Sequence, residues 1–348
     1  MDDGPLGLRT AGIFRELFLD MPAVDARGPD GARLDVRWWF ANDWSVPTRL
    51  ARGDRVVWVQ HDAQSDVLQL SYTLPWSRLD SAPWLDRWWT TAELRVLTRW
   101  GGWSDGMIEE WHDVIGSWNF RREFHPRNGV NLTLAEEGGR TLADLHHPRT
   151  TLSDLALRTT GRLLTGETRD DGTLPWAIAI RADVELPTGR IGTLSGSGGL
   201  DAGLGLAATV APARWFTLHG QSALRLVSPL PHGFPLRPSG LQWGLDLSIV
   251  VRLGSWVALL AEDRLSSPLF RGSWSLPAAQ REPESTAYYA LFRPYNQISG
   301  GLRIGAVTAF FSEDFTLGRR LAADPGPGWF YNSNAPDFVF GLSWVRGL

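Results

Sequence analysis

Apolar and polar residues alternate along the second half of the chain. From Trp176 to Leu186, every second residue is apolar, and the residues between them are small or charged. Successive side chains of a β-strand point to opposite faces, so this segment predicts a strand with one apolar and one polar face. The alternation returns from Leu200 to Val210, after a loop rich in glycine and serine. A soluble β-sandwich also alternates in this way, so strand number, strand length and turns must separate the two architectures.

The alternation continues to the C-terminus and predicts about 12 strands, an even number typical of membrane barrels. Most of these segments are roughly ten residues long, which is the length that a tilted strand needs to cross a bilayer. The predicted strands cover 34–43, 66–74 with an upstream extension over 55–60, 90–99, 154–165, 176–186, 200–210, 215–227, 241–253, 255–263, 296–303, 306–315 and 337–348.

The predicted connections alternate between short and long. The short ones include 211–214 and 304–305, and the long ones include 187–199, 228–239, 264–295 and 316–336. Outer-membrane barrels show this asymmetry, with short periplasmic turns and long external loops. An unpaired strand edge in lipid costs several kcal/mol for each unsatisfied group, so we predict that the sheet closes. The connection over 75–89 breaks the rule, because it should be a periplasmic turn but is long and rich in tryptophan.

Composition narrows the function classes. The net charge of −4 argues against a nucleic-acid partner, and the absence of cysteine excludes disulfides and thiol catalysis. The chain has 19 tryptophans, and many end an apolar row, which predicts an aromatic girdle at the membrane–water interface rather than a tryptophan-rich soluble core. The girdle residues are Trp38, Trp76, Trp100, Trp176, Trp215, Trp243, Trp256 and Trp344.

The N-terminus bears on the location of the protein. Its first residues lack the basic start and apolar core of a signal peptide. We therefore expect a mature form from which the signal peptide has been removed. The predicted location is the outer membrane of a Gram-negative bacterium.

Several motifs resemble the domain-of-unknown-function 3187 family of proteobacterial outer-membrane proteins. The motifs are Gly4-Pro-Leu, Asp105-Gly-Met-Ile-Glu-Glu-Trp-His112 followed by Gly116 and Arg121-Arg122, Leu186-Pro-Thr-Gly189 with Leu194-Ser-Gly-Ser-Gly-Gly199, Ser312-Glu-Asp-Phe315 and Ala335-Pro-Asp-Phe338. The resemblance covers nearly the whole chain. It implies a barrel in an outer membrane, and it implies no activity.

A long excursion over 100–153 holds the one candidate reaction site. Ser104 is a predicted N-cap, and the apolar spacing that follows predicts a helix over 104–118. Asp105, Glu109 and His112 share one face of this helix, where carboxylate and imidazole could exchange a proton. Three interpretations stay open for the helix: a structural element, a ligand-binding lid or a hydrolytic site with His112 as the base. We predict no metal ion and no cofactor.

Arginines next to the helix and charged residues on the inward rows are candidate ligand or lumen residues. Guanidinium groups pair with carboxylate or phosphate, and the two signs are mixed along the rows. The lumen is therefore predicted either as a salt-bridged filling or as a water channel without sharp ion selectivity. The candidates are Arg121, Arg122, Arg37, Arg95, Arg181, Asp183, Glu185, His219, Arg225, Asp246 and Arg252.

The sequence thus predicts an all-β transmembrane barrel over 33–348 with a helical insertion, preceded by a periplasmic or plug segment over 1–32. The leading hypothesis is a porin-like passive channel for small solutes with the insertion as plug or lid. The alternatives are an outer-membrane lipid or lipopolysaccharide hydrolase and a structural barrel that docks an envelope protein. The expected partners are outer-membrane lipid, lipopolysaccharide and the barrel assembly machinery.

Overall fold

The computed structural model describes most of the chain. The described residues are 4–10, 12–45, 47–52, 54–79, 82–115, 126–139, 141–170, 172–230, 236–272, 291–292, 294–316, 331–332 and 338–348.

Twelve antiparallel strands form a closed barrel in the described part of the chain. Each strand pairs with the next along the sequence, and the last pairs with the first over ten residue pairs, from Arg33 with Gly347 to Asn42 with Phe338. The predicted fold class is therefore confirmed. The strands are Arg33–Trp44 (β1), Arg55–Pro75 (β2), Trp88–Trp100 (β3), Leu155–Thr165 (β4), Trp176–Leu186 (β5), Asp201–Ala213 (β6), Phe216–Leu226 (β7), Leu241–Arg252 (β8), Val257–Ser266 (β9), Tyr295–Ile304 (β10), Val307–Thr316 (β11) and Phe338–Gly347 (β12).

The alternation along each strand sorts side chains between the outside and the lumen. In β6, Leu204 and Leu206 are 63% and 51% exposed, whereas the residues between and beside them are small. In β5, Arg181, Asp183 and Glu185 are at most 1% exposed. The apolar row faces outward, where lipid shields it from water, and the charged row faces a filled interior.

The two ends of the barrel differ. At one end, the turns between β6 and β7, β8 and β9, and β10 and β11 span only a few residues. We call this the short-turn end and the opposite one the long-loop end. The connection between β2 and β3 lies at the short-turn end and contains two 3-10 helices, Trp76–Arg78 and Pro83–Arg87. The Trp76 and Trp88 rings stack there with centroids 5.6 Å apart, which adds an aromatic contact to the girdle level.

Strand β2 is 21 residues long and rises beyond the barrel wall at the long-loop end. Its first half pairs with two short strands, Thr48–Arg52 and Asn131–Glu136, and Thr141–Leu145 extends this small sheet. A further strand, Arg149–Leu152, pairs with β3 just before β4 begins. The excursion over 100–153 is thus partly sheet, which the sequence did not predict. The pairs Arg237–Pro238 with Phe270–Arg271, and Tyr331–Asn332 with β11, are smaller additions at the same end.

Helical structure is sparse among the described residues. Helix α1 spans Asp105–Ile115, directly after Ser104 as predicted, and the predicted end over 116–118 lies outside the described residues. The stretch before β1 contains a 3-10 turn, Arg15–Leu17. A further 3-10 turn covers Ile191–Thr193. No helix within the described ranges is long and apolar enough to cross a membrane.

Candidate functional site: a lumen occupied by the N-terminal segment

The N-terminal segment, residues 4–32, lies inside the barrel. Its contacts with the wall trace two arms, residues 4–10 and 19–32, joined by an apex over 12–18. The arms are tied to each other, because Arg9 donates to the carbonyl of Phe18 (2.7 Å) and the Thr10 N–H donates to the Asp20 carboxylate (2.7 Å). Most residues of the two arms are buried, so the wall must satisfy the polar groups of their irregular backbone.

The apex packs into an apolar cluster at the long-loop end. Phe14 and Phe18 meet Phe270 edge to face, with ring centroids 6.5 and 5.7 Å apart. Leu17 is fully buried. The same cluster takes apolar residues from the sheet around β2 and from the loops, namely Leu50, Val57, Val59, Leu132, Leu134, Leu194, Val227, Leu236 and Leu269. Loops and apex thus close this end of the lumen together.

Charged groups surround the apex. Arg95 of β3 pairs with Glu16, and the guanidinium of Arg15 lies over the Tyr295 ring at 3.4 Å from its centroid. Both arginines are buried, and a buried guanidinium is tolerated only when it has such partners.

The second arm is bonded to strands β4 to β7. The N–H of Leu19 donates to Asp201 (3.1 Å), and the N–H of Ala26 donates to the Thr209 hydroxyl (2.9 Å). The amide of Gln221 donates to the carbonyl of Met21 (2.7 Å), and Arg181 donates to the carbonyl of Pro22. Arg162 donates to the carbonyl of Arg27 (2.7 Å) nearer the short-turn end. These side chains take the place of the secondary-structure partners that an extended segment lacks.

The first arm is bonded to strands β9 and β1. Glu262 accepts hydrogen bonds from the N–H groups of Gly7 (2.9 Å) and Leu8 (3.2 Å). Arg37 donates to the carbonyls of Leu6 (2.8 Å) and Gly7 (2.7 Å). A carboxylate and a guanidinium on the wall thus clamp the arm from both sides.

Asp20 is the meeting point of segment and wall. One carboxylate oxygen accepts from Arg264 at 2.7 Å, and the other accepts from Arg225 at 3.2 Å. Arg158 donates to the backbone carbonyl of Asp20 at 2.5 Å. Asp20 is 3% exposed, so three guanidinium groups from three strands converge on it out of contact with water.

The wall carries its own ion pairs beside these contacts. Arg158 pairs with Glu93 (2.9 Å) and Asp183 (2.7 Å), and Arg181 pairs with Asp183 (2.6 Å). Arg264 also lies 2.9 Å from Asp246. These ion pairs connect strands β3, β4, β5, β8 and β9 on the inner face of the wall.

A small cavity lies between the N-terminal segment and the wall. A cavity of about 10 Å³ lies between the first arm and strands β1, β2, β10, β11 and β12, lined by Leu8, Arg9, Trp39 and Phe310 among others. That volume holds about one water molecule. In this conformation the N-terminal segment occupies the lumen.

Most of the predicted lumen residues lie on the inward rows of the strands. The structure places Arg37, Arg95, Arg181, Asp183, Glu185, His219, Arg225 and Asp246 in the lumen beside the N-terminal segment or its neighbours. His219 Nδ1 lies 3.0 Å from the Thr209 hydroxyl. Arg252 shares the inward row but is only half-buried at the short-turn end. Arg121 and Arg122 lie outside the described residues.

Sequence reasoning missed the residues of the segment itself. Arg9, Glu16 and Asp20 belong to the site but sit in a stretch without strand periodicity. One feature of the sequence did indicate them: charged residues are interspersed among the apolar residues from Ile13 to Met21. A loosely held terminus does not need both kinds of residue.

Helix α1 lies on the outside of the barrel, not in its lumen. Asn42, which is on the outward row of β1, donates to Ser104 (2.9 Å) and to Asp105 (2.9 Å). Ser104 donates to Gln64, on the outward row of β2 (2.9 Å). Trp111 of the helix meets Phe311, on the outward row of β11, with centroids 5.7 Å apart. The expectation of a helical plug is thereby corrected: the described helix flanks the long-loop rim, and residues 4–32 fill the lumen.

The predicted acid–base cluster on α1 is divided among structural contacts. Asp105 accepts from Asn42 and from the N–H of Asn128 (2.6 Å), which fixes the return of the chain after the helix. Glu109 pairs with Arg127, and its hydrogen bond raises the pKa of the Arg127 guanidinium. The side chain of His112 lies outside the described part of the structure. Both described carboxylates are thus engaged in holding the helix.

Sequence comparison relates the barrel to a known protein family. The family profile described as "Protein of unknown function (DUF3187)" matches residues 57–282. The chain belongs to this family. The match covers strands β2 to β9 of the DUF3187 barrel, and it begins after the N-terminal segment. Comparison with functionally characterised proteins finds no significant sequence match.

Solved structures similar to the DUF3187 barrel are outer-membrane barrels. The COG4313 outer membrane channel from Pseudomonas putida F1 is 11% identical with a TM-score of 0.47, over 92% of this chain and 97% of that one. A Pseudomonas aeruginosa FadL homologue is 8% identical with a TM-score of 0.38, over 92% and 91%. The P. putida toluene transporter TodX is 8% identical with a TM-score of 0.34, over 93% and 91%. The barrel architecture of this chain is established by its own closed ring of paired strands.

Proposed function

We propose that this protein is a passive outer-membrane channel for small solutes, gated by its own N-terminal segment. The observation that carries the proposal is the composition of the lumen. The wall does not fill its interior with its own side chains; a separate, irregular stretch of chain fills it, and polar groups bind that stretch. Without residues 4–32, the inward row leaves a water-accessible lumen, as a barrel of intermediate strand number can hold.

The bonds between segment and wall are suited to opening. Hydrogen bonds and ion pairs exchange for water more readily than apolar packing, because water replaces the lost partners. The most extensive apolar contact is that of the apex, which packs against loop residues and against the sheet around β2. The arms add smaller apolar contacts with the wall, for example through Leu6, Leu8 and Met21. Movement of the segment would therefore wet the lumen stepwise without disturbing the strand pairing.

The outer surface supports a position in a membrane. The outward rows of the described strands are mostly apolar, and tryptophans such as Trp215 and Trp256 lie near their ends, so lipid is the surrounding medium. The outer membrane of a Gram-negative bacterium is the membrane in which such barrels reside. Its lipid, its lipopolysaccharide and the barrel assembly machinery are the partners that this location supplies.

The alternative of a lipid or lipopolysaccharide hydrolase has less support. Asp105 and Glu109 are both engaged in contacts that hold α1 and the following turn. A structural barrel that docks an envelope protein remains a second candidate, and a barrel that stays closed without its N-terminal segment would favour it.

Planar-bilayer recordings test the channel. We expect the full chain to show rare, brief openings and a variant lacking residues 4–28 to conduct steadily. The control is a heat-modifiable band on a gel, which shows that the variant is a folded barrel. A folded deletion variant that stays silent would refute the channel and turn attention to docking partners.

A further inference from the structure

Asp20 occupies a site built for an anion. Its carboxylate receives Arg264 on one oxygen at 2.7 Å and Arg225 on the other at 3.2 Å. The Thr10 N–H (2.7 Å) and the N–H of Met21 (2.9 Å) complete the shell, with one donor for each oxygen. Four donors around one carboxylate are the arrangement by which proteins bind carboxylate ligands.

The arginines belong to the wall, whereas the carboxylate belongs to the removable segment. Arg225 and Arg264 lie on β7 and β9 and are 6% and 3% exposed. If the segment leaves, Arg264 keeps Asp246, which lies 2.9 Å from it. Arg225 loses the Asp20 carboxylate and the Leu19 carbonyl, which both belong to the segment, and retains its hydrogen bond to the Trp243 carbonyl at 3.3 Å. The vacated wall then presents a guanidinium whose charge is no longer matched by a carboxylate in contact.

We propose that Asp20 is a built-in stand-in for a carboxylate solute, and that a small organic carboxylate competes for Arg225 and Arg264 and so opens the channel. This inference rests on the proposed channel function and names its solute class and its trigger. A carboxylate solute that reaches the lumen meets the same two guanidiniums. Displacement of Asp20 also breaks its bond to the Thr10 N–H, which is one of the ties between the two arms.

The exchange keeps the arginine pair neutralised. One carboxylate replaces another at Arg225 and Arg264, so the two guanidiniums keep a counter-charge while the displaced Asp20 carboxylate moves into the water that enters the lumen. A neutral solute of the same shape cannot make this exchange, because it leaves the arginines without a counter-charge. The mechanism therefore selects carboxylates over their amides.

Single-channel recording with sodium propionate tests the trigger. Millimolar propionate should raise the open probability of the wild type about tenfold, the factor expected when one charge-assisted hydrogen bond is exchanged. Propionamide, which is neutral and similar in shape, should leave it unchanged. An equal response to both compounds, or to neither, would overturn the inference.

The substitution Asp20→Asn removes the stand-in charge with little change in volume. It should raise the open probability about tenfold without propionate and abolish the response to propionate. The matched control is Asp25→Asn, since Asp25 pairs with Arg27 of the same segment (2.6 Å). Asp25→Asn should behave like the wild type, and an identical effect of both substitutions would refute the role of Asp20. If D20N does not yield a folded barrel, the propionate titration of the wild type decides.

The two levels of the proposal fail in different ways. If the deletion of residues 4–28 conducts but neither D20N nor propionate has an effect, the stand-in role is refuted and the channel stands. If the folded deletion variant and folded D20N are both silent, the channel itself is refuted.

Discussion

Gly7 shows how tightly the first arm is fitted at the residue scale. Its φ is +55°, a left-handed conformation that favours glycine, and an added Cβ would lie 2.7 Å from the carbonyl oxygen of Ala23 on the other arm. Its own N–H and carbonyl bind Glu262 and Arg37. Backbone fit and wall contacts thus coincide at one position.

Substituting Gly7 should loosen the segment without touching the barrel. Gly7→Ala forces a strained φ and a backbone clash, at a cost of about 1–3 kcal/mol, and should raise the open probability in planar bilayers. The control is Gly300→Ala, because Gly300 lies on the outward row of β10 with no atom within 4 Å of an added Cβ. Equal open probabilities for both variants would show that the fit of Gly7 does not hold the lumen closed.

At the scale of elements, the N-terminal segment is held by many weak ties rather than by regular structure. Its one regular piece is a three-residue turn. Small inward residues of β6 make room for it, since a Cβ on Gly203 would lie 2.4 Å from the sulfur of Met21. The segment and strand β6 are therefore complementary in shape as well as in hydrogen bonding.

A reversible disulfide between the second arm and strand β6 tests whether the N-terminal segment moves. The chain contains no cysteine, so a disulfide between Ala26→Cys and Thr209→Cys would be the only one present. The Ala26 N–H lies 2.9 Å from the Thr209 hydroxyl, which brings the two positions together. Oxidation should abolish openings and a reductant should restore them. The single-cysteine variants serve as controls, and openings that persist in the oxidised pair would show that the second arm does not need to move.

Helix α1 shows where element-level prediction fell short. Its start and its apolar spacing were readable, because capping and periodicity are local properties. Its position against Asn42 and Gln64 could not be predicted. Polar residues on an outward row interrupt the strand pattern, and the sequence does not say which element covers them. The rule for such cases is physical: an outward polar residue near a strand end needs a partner from a loop.

At the scale of the whole molecule, the ring of twelve strands was predictable from the alternation and from the connection lengths, and the contents of the lumen were not. Inward charges such as Arg181 and Asp183 follow from the period of two. Their partner Asp20 does not, because an irregular segment has no period and its contacts lie more than 200 residues away at Arg225 and Arg264. From the sequence, a filled lumen and an open lumen therefore remained two alternatives.

The outward row provides a test of membrane residence. Leu247 lies halfway along β8 on this row and is 53% exposed. Leu247→Arg should lower the free energy of unfolding by about 2–4 kcal/mol in phospholipid vesicles, as an arginine at the bilayer midplane does. Leu253→Arg, just beyond the end of the strand, should cost about 0–1 kcal/mol. Urea titration of both variants measures the difference, and equal costs would contradict a lipid-facing β8.

The seam between β1 and β12 determines the order in which the molecule can be assembled. The first and last strands of the chain meet there, so the ring seals only when the final residues arrive. The N-terminal segment directly precedes β1, yet its bonds reach strands β3 to β7 and β9. A ring that sealed first would leave arginines of β4, β5, β7 and β9 without the carbonyl and carboxylate partners that the N-terminal segment provides. We therefore expect the segment to lie between the strands before the last strand closes the ring.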